Sequence, residues 1–263
     1  MSNILTTLTS QQASRQPERE AMYGYNPESG KWEPTLWREF EAMVMDAACA
    51  MIDLGIEVQD KFAVFSANRP GCLVVDFGAY AVRAVPVSIY STSSLDQVEY
   101  IVNDIEAPII FVGNKKQYDI ARQAMKHCPT LKRIVTFEKF EYDEDDYMSM
   151  SFDDFLMQGA AADAQVRMDV NRRRESATTD DIATIIYTSG TTGEPKGAVL
   201  GHSQFDACLE MHRERLPRLS DQDTSISFLP LSHIFEKGWT YVCLYLSMRV
   251  YVNEDPRRIQ DTL

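Results

Sequence analysis

The chain has 263 residues, 44% of them hydrophobic, and a formal net charge of −13. That length and apolar content suffice for a sizeable core, in one large domain or two smaller ones. The acidic balance excludes a nucleic-acid-binding footprint, which needs clustered basic charge, and it draws no anion in from long range, so any phosphate site must be organised locally.

In chain order, Met1-Ser-Asn-Ile-Leu-Thr lacks the basic and apolar regions of a signal peptide, and no run approaches about eighteen apolar residues. A cytoplasmic chain is therefore expected. Leu36, Phe40, Val44, Ala47, Met51 and Leu54 recur three or four apart, and Gly55 follows as a stop, which predicts an amphipathic helix after Thr35. Residues 61–66 read as a buried strand, followed by a helix from Pro70 to about 83 and a strand over 85–89. Ser94 with Gln97 has capping-box spacing and opens a helix to about 104. A strand over 108–112, a helix over 114–126 and a strand over 133–137 complete the first half. Strands that are nearly all apolar and alternate with helices predict an α/β fold with parallel sheets covered by helices.

Residues 138–154 hold eight acids against the single base Lys139. A solvated connection is expected, because consecutive carboxylates such as Asp143 to Asp146 cannot all face one metal ion. Arg172, Arg173 and Arg174 read as a solvated charge cluster in the same linker. The expected division is 1–137, a first α/β half; 138–180, an acidic and polar connection; and 181–263, the start of a second half. In that second half, a helix capped by Ser203 runs to about 215. Beyond it are predicted a strand over 225–229, a helix over 234–247 and a strand over 249–252. The five cysteines are scattered through apolar stretches without CxxC spacing, as reduced core thiols would be.

The most informative stretch is Tyr187-Thr188-Ser189-Gly190-Thr191-Thr192-Gly193-Glu194-Pro195-Lys196-Gly197, which follows the apolar run 182–186. Glycines allow close approach of the backbone, and successive N–H groups form an anion-binding nest, to which Lys196 adds a positive charge. Walker A spacing is excluded: Pro195 stands where that motif has its second glycine, and Gly197 rather than Ser or Thr follows Lys196. Ala198-Val-Leu200 reads as a strand, not as the helix a P-loop requires. A bare hairpin needs only about two to five turn residues, so a longer, phosphate-holding loop is expected.

This stretch resembles the phosphate-binding loop of the adenylate-forming superfamily, and His202 follows it as in that family. Phe228-Leu-Pro-Leu-Ser-His-Ile-Phe-Glu236 is similar to the substrate-pocket motif of the long-chain fatty acyl-CoA synthetase branch. Asn68-Arg-Pro70 and Val85-Pro-Val-Ser-Ile-Tyr90 fit the amino-terminal half of the same branch, so the resemblance covers essentially the whole chain. It implies an ATP-dependent ligase that adenylates a long-chain fatty acid and passes the acyl group to coenzyme A. ATP, Mg²⁺ and coenzyme A are the implied cofactors and co-substrates. Ser189, Gly190, Thr191, Thr192, Gly193 and Lys196 would hold the phosphates, with Lys196 closing over the leaving pyrophosphate.

By the same resemblance Thr188 helps to hold Mg²⁺, although a hydroxyl that bonds the loop backbone is the other reading. His233 stands beside the acyl carboxylate and the α-phosphate, as an orienting group rather than a base, since a carboxylate nucleophile needs no deprotonation. Glu236, Lys237 and Trp239 are expected at the acyl entrance. A fatty substrate implies peripheral contact with a membrane, and apolar surface implies a homodimer. An amino-acid or aryl-acid adenylation domain, or a non-catalytic nucleotide-binding scaffold, are the alternatives. The family generally continues well beyond the point reached here, so an amino-terminal fragment that is inactive by itself is expected.

Overall fold

A computed structural model describes residues 3–143, 146–189 and 195–259. Helix α1 (Ile4–Arg15) leads into a hairpin of β1 (Glu20–Asn26) and β2 (Lys31–Leu36), then α2 (Trp37–Asp53). Next come β3 (Lys61–Phe65), α3 (Pro70–Val82), β4 (Val85–Ile89), α4 (Leu95–Asp104), β5 (Ile109–Val112), α5 (Lys115–Ala124) and β6 (Arg133–Thr136). The remainder is β7 (Ser149–Ser151), α6 (Phe152–Ala160), α7 (Ala164–Glu175), β8 (Ile182–Ser189), β9 (Pro195–Gly201), α8 (His202–Arg215), β10 (Thr224–Ser227), α9 (Ile234–Tyr245) and β11 (Arg249–Val252).

The elements predicted in the first half form, and for the expected local reasons. Glu39 accepts from the Leu36 N–H at the start of α2, Ser94 and Gln97 close the capping box of α4, and Pro70 opens α3 at a position that needs no N–H. Helix α3 ends in a left-handed residue, Arg83, at φ 62°. Strands β4-β3-β5-β6-β7 make an all-parallel sheet, while β10-β11-β1-β2 make a second sheet, parallel except for the β1–β2 hairpin. The strands before residue 37 and those after 223 therefore share one sheet.

One core joins Phe62, Phe111 and Val135 of the first sheet to Met22, Val250 and Val252 of the second, with α2 and α3 between them. A second core covers the opposite face of the first sheet with α4 and α5. Parallel sheets covered by helices are thus the architecture. Arg69 links the carboxyl ends of the two sheets, pairing with Glu138 beyond β6 at 3.4 Å and with Glu254 beyond β11 at 3.3 Å.

Three expectations need correction. The stretch 138–180 carries β7, α6 and α7, and Arg173 is buried: it pairs with Asp169 and Glu57 and donates to the Ile56 carbonyl. Arg174 pairs with Glu41 at 2.9 Å. These cations hold α7 against the core and are not a solvated cluster. Helix α8 starts two residues earlier than expected, with Gly201 as its cap and its N–H bonded to Gln204. Finally, β8 and β9 are an antiparallel pair, with Thr188 opposite Lys196 and Ser189 opposite Pro195, so the strands reach further into the stretch 187–197 than the sequence suggested.

Candidate functional site

Strand β8 is buried along most of its length, from Ala183 to Tyr187, and lies beside β4, where the Thr184 hydroxyl donates to the Pro86 carbonyl at 2.7 Å. The Tyr187 hydroxyl donates to Asp104. The strand thereby carries Thr188 out of the core. Thr188 is exposed and directly opposite Lys196, also exposed, on β9. Residues paired across an antiparallel ladder share a face, so the Thr188 and Lys196 side chains project from one face of the hairpin, next to residues 190–194. Ser189 pairs with Pro195 through the backbone. Gly190, Thr191, Thr192 and Gly193 lie outside the described residues. Gly197 is required by close approach: a Cβ there would sit 2.8 Å from Ile185 Cγ2 and 3.1 Å from the Tyr187 ring.

The base of the hairpin is locked. Arg83 Nε and Nη2 donate to the two oxygens of Asp181 at 2.7 and 2.9 Å. Burial alone would raise the Asp181 pKa, but the bonds from Arg83 and Thr178 outweigh it and hold the carboxyl below its ordinary value. His202, which follows β9 and opens α8, is 1% exposed with Nδ1 unpartnered, and burial pushes its pKa down to about 4. It is a neutral packing group whose ring meets Tyr80 edge-on.

His233 is exposed and caps α9, beyond the carboxyl end of β10. Its Nδ1 accepts from the Phe235 N–H at 3.3 Å, which places the ring proton on Nε2. The ring therefore presents a donor, suited to an oxyanion. The preceding turn is pinned by buried Asn68, whose Nδ2 donates to the Leu229 carbonyl at 2.7 Å and whose Oδ1 accepts from the Leu231 N–H at 2.9 Å. Nothing in the spacing around His233 pointed to Asn68; the Asn68-Arg-Pro70 motif was the available signal.

The two parts of the site meet at a cleft of about 160 Å³ lined by Leu200, Gln204, Phe205 and Cys208 on one side and Ile234 and Gly238 on the other. On the far side of α9, Trp239 donates to the Ser225 hydroxyl at 3.0 Å and shares a cavity of about 540 Å³ with Phe228, Leu229, Phe235 and Glu236. Glu236 is 2% exposed with one oxygen unpartnered, and burial raises its pKa, against the Ser227 hydroxyl and the N–H groups of residues 228 and 229. Lys237 does not stand at an entrance. It is fully buried, with Nζ 2.7 Å from Asp76 Oδ2, because an ammonium inside a core needs its counter-charge.

Fit to a magnesium ion rests on Thr188, whose exposed hydroxyl is a hard oxygen donor beside the loop. Among the described residues no group of three His, Cys, Asp or Glu could cage a metal. Asp146 is occupied by Tyr118, Arg122 and the N–H groups of Met148 and Ser149. No helix among the described residues is long and apolar enough to cross a membrane.

The family model of the AMP-binding enzymes matches residues 9–263. A long-chain-fatty-acid–CoA ligase of Mycobacterium bovis is 28% identical over 231 residues, which cover 88% of this chain and 37% of that protein. Long-chain-fatty-acid–CoA ligase 1 of Homo sapiens is 29% identical, over 88% of this chain and 34% of its own length. This chain thus spans little more than a third of these relatives. Among solved structures, an anthranilate CoA ligase in complex with anthranoyl-AMP superposes with a TM-score of 0.81 at 17% identity, over 98% of this chain and 46% of that one. ATP-bound MatB from Rhodopseudomonas palustris gives 0.75 at 20% identity, over 99% and 47%. At such identities the two structures bear on the fold alone.

Proposed function

We propose, from the premise that this chain belongs to the AMP-binding enzyme family, that the whole protein activates a long-chain fatty acid. A fatty carboxylate oxygen attacks the α-phosphorus of ATP, the bond to the β-phosphate oxygen breaks, and pyrophosphate leaves. The thiol of coenzyme A then displaces AMP from the acyl adenylate, giving the thioester. Both partners of the first step are anions, so the site must neutralise phosphate charge and hold the carboxylate in line.

The observation that carries this reading is the pairing of Thr188 with Lys196 across the hairpin, at the mouth of the Gly- and Thr-rich loop. Lys196 would meet the negative charge that builds on the departing pyrophosphate. Ser189, with Gly190, Thr191, Thr192 and Gly193, would hold the terminal phosphates. Mg²⁺, when bound beside Thr188, supplies further neutralisation of the phosphates. The Nε2–H of His233 would orient the carboxylate or an α-phosphate oxygen. The apolar cleft beside Ile234 and the aromatic cavity beside Trp239 favour a fatty substrate over a polar amino acid. Peripheral membrane contact follows from such a substrate, and a homodimer and the division at 138–180 belong to the same proposal.

ATP–pyrophosphate exchange by the full-length protein with a panel of acids tests it. Exchange with palmitate and none with amino or aryl acids is the expected result. The reverse order would make it an amino-acid or aryl-acid enzyme, and nucleotide binding without any exchange would leave a scaffold.

A further inference from the structure

Asp76 and Lys237 are 2% and 0% exposed, and each gives up water to be there. Taking two ions out of water is costly, and an apolar pair of the same volume would pack α3 against α9 at least as firmly. Charges add direction that apolar groups lack. Asp76 Oδ2 accepts from Lys237 Nζ at 2.7 Å and from the Tyr241 hydroxyl at 2.8 Å, while the Tyr80 and Tyr241 hydroxyls are 2.9 Å apart. Both donors to Asp76 lie on α9, one turn apart, so the carboxylate fixes the rotation and height of that helix.

The segment thus gripped contains His233. The Lys237 N–H donates to the His233 carbonyl at 3.1 Å, one turn after the cap. On the other side of His233, Asn68 holds Leu229 and Leu231. Asn68 lies two residues before α3 and Asp76 within it, so one short stretch of chain holds the catalytic segment at two points that bracket the imidazole. The array continues through Tyr80 to the ring of His202, at the foot of the phosphate hairpin.

We propose that the buried Asp76–Lys237 pair is a positioning device for His233, fixing the α9 cap relative to the phosphate hairpin; this rests on the ligase reading above. The full-length Asp76→Asn/Lys237→Met double variant keeps volume and removes both charges. It should fold, as judged by near-ultraviolet circular dichroism, with KM for ATP unchanged and kcat for pyrophosphate exchange about 10- to 100-fold lower. In a His233→Ala background the same pair of changes should cost nothing further, and Lys237→Arg should retain most of the rate. A folded double variant with full kcat, or an undiminished further loss without His233, overturns the proposal.

Nitrogen-15 spectra of the histidine rings give a readout that needs no activity. The Nε2–H tautomer of His233 should become averaged in the double variant while His127 stays unchanged; an unaltered His233 signal overturns the proposal even if the wild type exchanges nothing. Wild-type protein silent with every fatty acid would sink the ligase reading alone.

Discussion

A methyl group added at position 197 has nowhere to go, since Ile185 Cγ2 and the Tyr187 ring occupy its space. Gly197→Ala should lower stability by about 1–3 kcal/mol and displace Lys196, which urea denaturation and pyrophosphate exchange would report together. Lys196→Ala, at an exposed position, should leave the unfolding midpoint unchanged and reduce exchange alone. A midpoint shift in the lysine variant, or none in the glycine variant, would contradict this. His202 adds a pH dependence. Its folded pKa of about 4 lies below the ordinary 6.5, so the unfolded chain binds the extra proton first as pH falls. Stability is complete above about pH 6.5 and declines towards pH 4, by about 3 kcal/mol from this group. His202→Gln should flatten the unfolding midpoint across that window; an unchanged slope would show that His202 does not set it.

At the scale of elements, Asn68 decides whether the turn before α9 is a fixed structure. Asn68→Ala would leave the Leu229 carbonyl and Leu231 N–H without partners inside the protein, at about 2 kcal/mol or more. Amide exchange at Leu231 should accelerate with little change in the β3–β6 sheet, and equal acceleration everywhere would point to global destabilisation instead. The elements that could be read in advance are those whose signals are local. Helix α2 has its apolar stripe, α4 its Ser94–Gln97 box, and β3 to β6 their apolar runs.

Helix α1 buries Thr6, Thr9 and Gln12 among its contacts, which leaves no apolar period to see. Strands β1 and β2 are mostly half-exposed and depend on a remote partner, β11. Helix α7, rich in arginine, is held by ion pairs with Glu41 and Glu57 that no window of sequence contains. The site divides in the same way. Thr188, Lys196 and His233 stand out by motif, whereas the inward turn of Lys237 depends on Asp76, 161 residues earlier.

Across the whole molecule, net charge and apolar surface act against each other. Val199, Phe228, Leu229, Ile234 and Phe235 are 57, 39, 39, 40 and 63% exposed. They belong to the hairpin, the turn after β10 and the start of α9. Apolar surface of this kind favours association, while a charge of −13 opposes it through a repulsion that salt screens. The 263-residue chain expressed alone should therefore shift to larger species on size-exclusion chromatography as salt rises. Val199→Ser/Phe235→Ser should remove the shift, and a monomer at every salt concentration would refute the account.

The pairing of β1 with β11 also sets a timetable for synthesis. Met22, Tyr23 and Gly24 find their parallel partners only at Val250, Tyr251 and Val252. At roughly 5–20 residues per second, the early hairpin waits on the order of ten to forty seconds after leaving the ribosome before that edge is paired. During the wait it presents an open strand edge that another nascent chain can join. The first sheet, whose strands follow one another closely, can assemble meanwhile. Chaperone demand at this edge should thus persist until β11 has emerged and fall once it has paired.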